Sequence, residues 1–170
     1  MNVSLILSIV GLATSLAAVG ISSTLVIRQT RFQRHANQVP VAVSLGQEYR
    51  SDDFQLAQDY VLNALATAHE ASSGVTGLPA EARRRVLRVT TFYTGLGGLV
   101  FFDIAEEEFV VGFIGNRIKG AWDALEPYIL QDRILMKNPD FLVFFEDLVC
   151  RTRERGRTVD TYHSKLKRLT

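Results

Sequence analysis

The first 27 residues constrain the fold more than any other feature, because they carry no charged side chain. All 19 Lys and Arg and all 18 Asp and Glu of the 170-residue chain lie at or after Arg28. At about 1.5 Å per residue, a helix over residues 3–27 is long enough to cross the ~30 Å hydrocarbon core of a bilayer. Backbone polar groups in lipid must be satisfied within the segment, so the sequence predicts one continuous membrane helix.

A cleaved signal peptide is the alternative interpretation of this segment. Such a peptide has a basic start, an apolar region of about 7–15 residues and a small-residue cleavage site. Here no Lys or Arg precedes the apolar run, the run is longer, and it ends at Arg28. These differences favour an uncleaved anchor.

The charges that flank the segment predict its orientation. Arg28, Arg31 and Arg34 follow it directly, and no basic side chain precedes it. Because positive flanks stay on the cytoplasmic side, the N-terminus is expected outside and residues 28–170 in the cytoplasm. The single cysteine, Cys150, excludes an intramolecular disulfide and agrees with a reducing compartment.

One face of the predicted membrane helix carries small side chains, which let helices approach closely in lipid. This face predicts packing against a partner helix, although small residues are common in all membrane helices. Its members are Gly11, Thr14, Ser15, Ala18 and Ser22.

The rest of the chain predicts an all-α domain of about four or five helices. Pro40 and Gly46 lie in a stretch without helical period, which indicates a linker. The composition then divides the chain into four segments: an anchor with its basic flank at 1–35, the linker at 36–50, a compact cytoplasmic helical bundle at 51–150 and a basic tail at 151–170.

Apolar spacing and helix punctuation place the helices of this domain. A three- and four-residue period predicts a helix over 52–71, and Pro79 marks the start of the next. That second helix ends in the apolar run 89–102, which is too short to span a bilayer. The glycines within the run predict a close crossing by a neighbouring helix: Gly95, Gly97 and Gly98.

An acidic turn at 106–108 begins the third long helix, whose predicted apolar side includes Phe109, Phe113, Ile118, Trp122 and Leu125. Pro127 is expected to kink or restart this helix. The sequence Asn-Pro-Asp at 138–140 then separates a last aromatic helix.

No catalytic, metal or cofactor motif emerges from the sequence. The glycine run lacks the Lys of a phosphate-binding loop, and the three histidines form no metal-ligand pattern. Asp103, Glu107 and Asp132 are the carboxylates that an enzyme would use, but no Glu-x-x-His pair accompanies them. Cys150 ends an apolar helix and is expected to be a buried structural thiol.

The stretch FDIAEEEFVVGFIGNRIKGAWDALEPYILQDRILMKNPDFLVFFEDLV resembles a bacterial family of small, single-span membrane proteins of unknown function. An acidic turn after an apolar helix and a terminal aromatic helix carry the likeness, and SDDFQLAQDYV resembles that family's first cytoplasmic helix. The matching positions include Trp122, Pro127, Arg133, Phe141 and Glu146. The resemblance implies a single-pass protein of the bacterial inner membrane with a helical cytoplasmic domain, and it adds no catalytic residue.

Charge is segregated along the chain. Residues 36–150 hold nine Lys or Arg against 16 Asp or Glu, a net of −7, whereas residues 151–170 hold seven against two, a net of +5. The tail and the flank are therefore expected to bind anionic lipid headgroups or an acidic partner, and not nucleic acid, since no reading motif is present. The residues concerned are Arg28, Arg31, Arg34, Arg151, Arg153, Arg155, Arg157, Lys165, Lys167 and Arg168.

Together these features predict a non-enzymatic accessory or scaffolding subunit of a larger inner-membrane complex. The alternatives are a membrane-tethered regulator of a cytoplasmic partner and a membrane-bound metal-dependent enzyme that uses the acidic helix at 103–133.

Overall fold

A computed structural model describes residues 43–163, and, among the first 42, residues 11–12, 14–15, 18–20, 22–23 and 25–26. Side chains of the last helix are described up to Arg155. The chain divides into two units, Met1–Val41 and Ala42–Thr170.

The described residues of the first unit are helical and exposed. Within this unit Ser15 Oγ donates to the Gly11 carbonyl at 2.9 Å, and Ser23 Oγ donates to the Val19 carbonyl at 2.8 Å. Among the residues that the structure describes, no helix combines the length and the apolar character that a membrane crossing requires. Much of the predicted span at 3–27 lies outside those residues, so the anchor stays a prediction.

The described part of the second unit consists of helices and turns without a strand, which confirms the all-α prediction. Four helices of 12 to 30 residues form the bundle, and three short ones join them. In chain order these are α1 at 43–50, α2 at Asp52–Asn63, α3 at Leu65–Ala68, a 3-10 turn at Ala71–Ser73, α4 at Ala80–Phe101, α5 at Glu107–Met136 and α6 at Val143–His163.

The predicted linker differs from the structure over its second half, where residues 43–50 form helix α1. Tyr49 is the reason, because its ring contacts Phe54 at 5.6 Å and Phe92 at 6.1 Å between centroids. The Tyr49 carbonyl also accepts from Gln55 Nε2 at 2.5 Å. These contacts pack α1 against the core of the bundle.

Three further helix boundaries differ from the predictions. The helix expected over 52–71 stops at Asn63, and Ala64 adopts φ −120° before the short α3. Helix α5 continues through Pro127 and does not restart there, because Pro127 is exposed and the carbonyl that it leaves unpaired can bind water. Helix α6 continues through the predicted tail to His163.

Aromatic rings fill the centre of the bundle. Tyr93 of α4 stacks on Phe145 of α6 at 5.1 Å, and Trp122 of α5 meets Phe145 edge-on at 5.2 Å. Gln58 of α2 donates through Nε2 to the Tyr93 hydroxyl inside this core. Burial raises the pKa of Tyr93 far above its ordinary value, so this hydroxyl stays neutral.

The connection between α3 and α4, residues 69–79, is fixed to helix α5 by buried polar groups. Asp132 is fully buried and accepts from the Val75 amide at 3.1 Å and from Thr76 Oγ1 at 2.7 Å. Tyr128 donates its hydroxyl to the His69 carbonyl at 2.6 Å. Gly74 has φ +64°, and a Cβ there would lie 2.2 Å from Asp132 Oδ1, so this turn requires glycine.

Candidate interaction surface

Three phenylalanines lie together where the end of α4 meets the start of α6: Phe101 and Phe102 are exposed, and Phe144 is half-buried. The ring centroids of Phe101 and Phe102 lie 5.1 Å apart, and that of Phe144 lies 5.4 Å and 6.0 Å from them. Phe102 keeps 64% of its surface exposed and Phe101 keeps 49%. Contiguous exposed apolar surface of this kind marks interaction sites in folded proteins. We call Phe101, Phe102 and Phe144 the aromatic patch.

Gly97 brings the two helices of the aromatic patch together. A Cβ at this position would lie 2.0 Å from the Phe144 carbonyl oxygen, so the backbones of α4 and α6 touch here. The predicted close crossing is therefore confirmed at Gly97. At Gly95 and Gly98 a Cβ would meet nothing within 4 Å, so these glycines are not part of the crossing.

The end of helix α4 turns sharply next to the aromatic patch. Asp103 has φ 55°, its amide donates to the Val100 carbonyl at 3.1 Å, and the Ile104 amide donates to Leu99 at 2.8 Å. These two hydrogen bonds make a Schellman motif, with aspartate at the position that usually holds glycine. The motif ends the helix directly after Phe102 and leaves Ile104 43% exposed beside the aromatic patch.

Arg133 fixes the other side of the aromatic patch, where the chain enters α6. Its guanidinium donates to the Phe141 carbonyl at 3.0 Å and to Glu146 at 2.7 Å. The next residue after Phe141 is Leu142 with φ 60°, which is unusual for a bulky side chain. Arg133 and Glu146 thus hold a strained turn that leaves Val143 exposed and Phe144 half-buried.

Three exposed carboxylates lie within four residues of the aromatic patch in sequence and carry no ion pair among the described side chains. They are Asp103 at the end of α4, Glu106 at the start of α5 and Asp140 in the turn before α6. Lys137 is the exposed cation in the same α5–α6 connection. We call Asp103, Glu106 and Asp140 the acidic rim.

Arginines of α6 pair with acids of the bundle, and the expected binding of the basic tail to lipid headgroups or an acidic partner stays a prediction. Arg151 lies 3.0 Å from Glu107 and 2.6 Å from Asp147, and these hydrogen bonds raise its pKa. Arg155 pairs with Glu107 and with Glu108.

Arg153 pairs with Asp123 at 2.8 Å, so each of the three described α6 arginines has an intramolecular partner. These pairs and the buried Thr152 hold α6 against α5 beyond residue 150. The other predicted electrostatic positions lie outside the described side chains: Arg28, Arg31, Arg34, Arg157, Lys165, Lys167 and Arg168.

Of the predicted membrane-packing residues, each is described, helical and exposed: Gly11, Thr14, Ser15, Ala18 and Ser22. They all belong to the first unit, and their packing against a partner helix stays a prediction.

The carboxylates considered for an enzyme do not converge. Asp103 is exposed at a turn, Glu107 pairs with arginines of α6, and Asp132 binds the 69–79 connection. Glu107 and Asp132 lie on one helix about 37 Å apart at ~1.5 Å per residue. No group of three or more His, Cys, Asp or Glu side chains in the described part of the chain is placed to hold a metal ion.

Cys150 also differs from its prediction, because the thiol is exposed and not buried. The α6 helix turns Phe145, Leu148 and Val149 toward the core, which leaves the next position facing out. The expectation of a structural thiol was therefore wrong.

A groove of about 660 Å³ lies between α2 and α4. Arg85 lies over the ring of Tyr60 at 5.0 Å, and Arg88 pairs with Asp53 at 3.2 Å. Glu81 bridges Arg84 and Arg85, and the Arg84 hydrogen bond lowers the pKa of Glu81. Because cations and carboxylates neutralise each other here, the groove offers no net charge to a ligand.

The sequence interpretation missed the aromatic patch, although one signal was present. Phe101 and Phe102 are consecutive, and neighbouring residues on a helix point about 100° apart, so the two rings project in different directions at the end of the apolar run. On α5, Phe109 and Phe113 were expected to be buried. They are 56% and 62% exposed, and Val110, Val111 and Ile114 face the core instead.

The fold and this surface define a helical bundle that exposes an aromatic patch and holds no recognisable catalytic constellation in its described part. The chain belongs to a family described as a domain of unknown function (DUF4760), whose model matches residues 4–152. The resemblance noted from the sequence is confirmed as membership of an uncharacterised family. Comparison with curated proteins and with solved structures found no match.

Proposed function

We propose that this protein is a non-enzymatic accessory or scaffolding subunit of a larger complex in the bacterial inner membrane. In this proposal the apolar N-terminal segment anchors the chain and the helical bundle lies in the cytoplasm. The bundle contributes a docking surface for a protein of the complex.

The aromatic patch is the observation that carries the docking role. Phe101 and Phe102 are exposed against the half-buried ring of Phe144, and hydration of their exposed surface is unfavourable. Aromatic side chains are enriched at the centres of protein interfaces, because a large apolar area is buried there with few rotatable bonds. A partner that covers these rings would gain free energy from their burial.

The proposed anchor rests on the charge pattern of the sequence. No charged residue occurs in residues 1–27, and three arginines follow within the next eight positions. This asymmetry is typical of a span with its C-terminal side in the cytoplasm. The small side chains on one face of the span would let a helix of the partner complex approach closely.

The first experiment tests the anchor. The full chain and a variant without residues 1–27 are expressed with a C-terminal tag, and their membranes are washed with alkaline carbonate. We expect the full chain to stay in the pellet and the truncated chain to move to the supernatant. A C-terminal tag that is digested by protease in intact spheroplasts would contradict the proposed orientation.

The second experiment tests the docking role. Mild-detergent extracts are separated on native gels, and the tagged chain is compared with the Phe102→Ser variant. We expect the wild-type chain in an assembly well above its own 19.0 kDa and the variant largely released from it. Leu56→Ser is the matched control, since Leu56 of α2 is 67% exposed and lies outside the aromatic patch.

A regulator that binds a soluble cytoplasmic partner is the second candidate function, and the acidic rim favours it. Contacts that depend on exposed charges weaken with salt. An assembly with fixed stoichiometry that survives 0.5 M salt would support the subunit role. A substoichiometric, salt-labile complex with a soluble protein would support the regulator.

A further inference from the structure

We infer that the partner surface that receives the aromatic patch is an apolar protein pocket rimmed by lysine or arginine side chains. This inference rests on the proposed function and specifies the chemistry of its partner. It combines the apolar rings of the patch with the carboxylates of the acidic rim.

Among the described side chains, no cation pairs with the carboxylates of the acidic rim. Nearby acids are neutralised within the bundle: Glu107 and Glu108 pair with Arg155, and Glu146 pairs with Arg133. Asp103 follows Phe102 directly, Asp140 lies four residues before Phe144, and both are exposed.

We expect the aromatic patch to bind to a concave surface of the partner. Phe102 is the most exposed of the three rings and is supported on one side by Phe101 at 5.1 Å and on another by Phe144 at 6.0 Å. This support holds the ring in place before binding, so little side-chain entropy remains to be lost. A pre-organised ring of this kind fits a pocket better than a flat surface.

Charge decides between the possible occupants. A second copy that placed the same surface face to face would bring two acidic rims together, and like charges at an interface oppose binding. An anionic bilayer surface would be repelled for the same reason. A protein pocket with basic residues around it matches both the rings and the rim.

The test uses the full chain in native membranes with a photoactivatable benzoylphenylalanine in place of Phe102. Irradiation is expected to give one major protein adduct. A second chain carries the same probe and the neutralising changes Asp103→Asn, Glu106→Gln and Asp140→Asn. Asparagine tolerates the positive φ of residue 103, so these changes leave the turn intact.

We expect the neutralised rim to lower the adduct yield about tenfold, because each exposed ion pair lost at an interface contributes a modest factor. A matched control removes three exposed carboxylates elsewhere, with Asp52→Asn, Glu70→Gln and Glu154→Gln. The control should keep the yield of the unmodified chain. Thermal unfolding of all variants checks that the bundle is intact.

Each other outcome has a defined meaning. An adduct whose yield is the same in all three chains would contradict the basic residues inferred around the partner's pocket. The proposed docking function would not be affected. An adduct at twice the chain mass, or adducts to lipid alone, would overturn the inference in favour of a second copy or the bilayer. The absence of any protein adduct from the unmodified chain would remove the proposed docking function itself.

Discussion

In two connections of the bundle, the apolar and acidic residues have opposite environments. In the connection at 69–79, Val75 and Leu78 are buried, and the carboxylate of Asp132 binds the backbone. In the connection at 102–106, Phe102 and Ile104 are exposed, and the carboxylate of Asp103 has no ion pair among the described residues. The first connection therefore stabilises the fold. The second exposes apolar side chains and a carboxylate that a partner can bind.

The two carboxylates differ in whether the fold supplies them with hydrogen-bond donors. A buried carboxylate is tolerated only when donors compensate its lost hydration, and Asp132 receives them from Val75 and Thr76. An exposed carboxylate keeps its hydration and can exchange it for a cation at little cost. We therefore expect substitutions at 69–79 to lower the free energy of unfolding. Substitutions at 102–106 should instead weaken binding of the partner.

The largest expected effect comes from Asp132→Ala. The change leaves the buried Val75 amide without an acceptor and removes the acceptor of the Thr76 amide, so we expect the free energy of unfolding to fall by about 3 kcal/mol. Urea unfolding followed by the fluorescence of Trp122, the single tryptophan, measures this. Asp123→Ala on the same helix removes an exposed pair and should cost about 0.5 kcal/mol at most. Equal losses in the two variants would contradict the comparison.

The next effect concerns the crossing that supports the aromatic patch. Gly97→Ala places a methyl group against the Phe144 carbonyl, and the helices must separate, which we expect to cost about 2 kcal/mol. Gly98→Ala meets open space and should instead add ~0.5–1 kcal/mol through helix propensity. The same unfolding measurement separates them, and destabilisation by both changes would argue against the close contact at residue 97.

A smaller effect is expected from Tyr128→Phe, which removes the hydrogen bond to the His69 carbonyl and should cost about 1 kcal/mol near neutral pH. Burial raises the pKa of Tyr128, so the folded chain keeps a proton that the unfolded chain releases above about pH 10. Wild-type stability is therefore complete below pH 10 and declines as the pH rises further.

The phenylalanine variant has no such proton, so its deficit relative to wild type should shrink between pH 9 and pH 11. Unfolding curves at these two pH values measure the change. Tyr60→Phe is the control at neutral pH, because Phe keeps the ring beneath Arg85. A deficit that grows with pH would contradict the assigned direction.

The smallest effect on stability is expected from Phe102→Ser. The ring is largely exposed, so the free energy of unfolding should change by no more than about 0.5 kcal/mol. Binding should nevertheless be lost in the native-gel comparison described above. If the variant were strongly destabilised, Phe102 would stabilise the fold, as the residues of the 69–79 connection do. That result would argue against the docking role.

Several elements of the fold could be predicted because their signals are local. Pro79 and the Asn-Pro-Asp sequence at 138–140 punctuate helices through backbone geometry, and the structure begins α4 and separates α5 from α6 at these places. Gly97 was also identified in advance, since a glycine inside an apolar helix favours close packing.

The candidate site could be predicted only in part, because both sides of α5 are apolar near its start. Val110 and Ile114 compete with Phe109 and Phe113 for the core, and periodicity alone does not choose between the two pairs. The ion pairs that Arg151 and Arg155 form with Glu107 and Glu108 likewise join residues more than 40 positions apart. Such partners follow from helix packing and not from spacing in the sequence.

The sequence by itself determined that the chain is helical, where its long helices are punctuated, and that charge is absent from its first 27 residues. These properties depend on backbone preferences and on side-chain polarity, which act over a few neighbouring residues. Only the tertiary structure decided which phenylalanines are exposed and which carboxylates are neutralised. Those outcomes depend on long-range packing, since an apolar ring or a charge is satisfied only by the groups that the fold brings next to it.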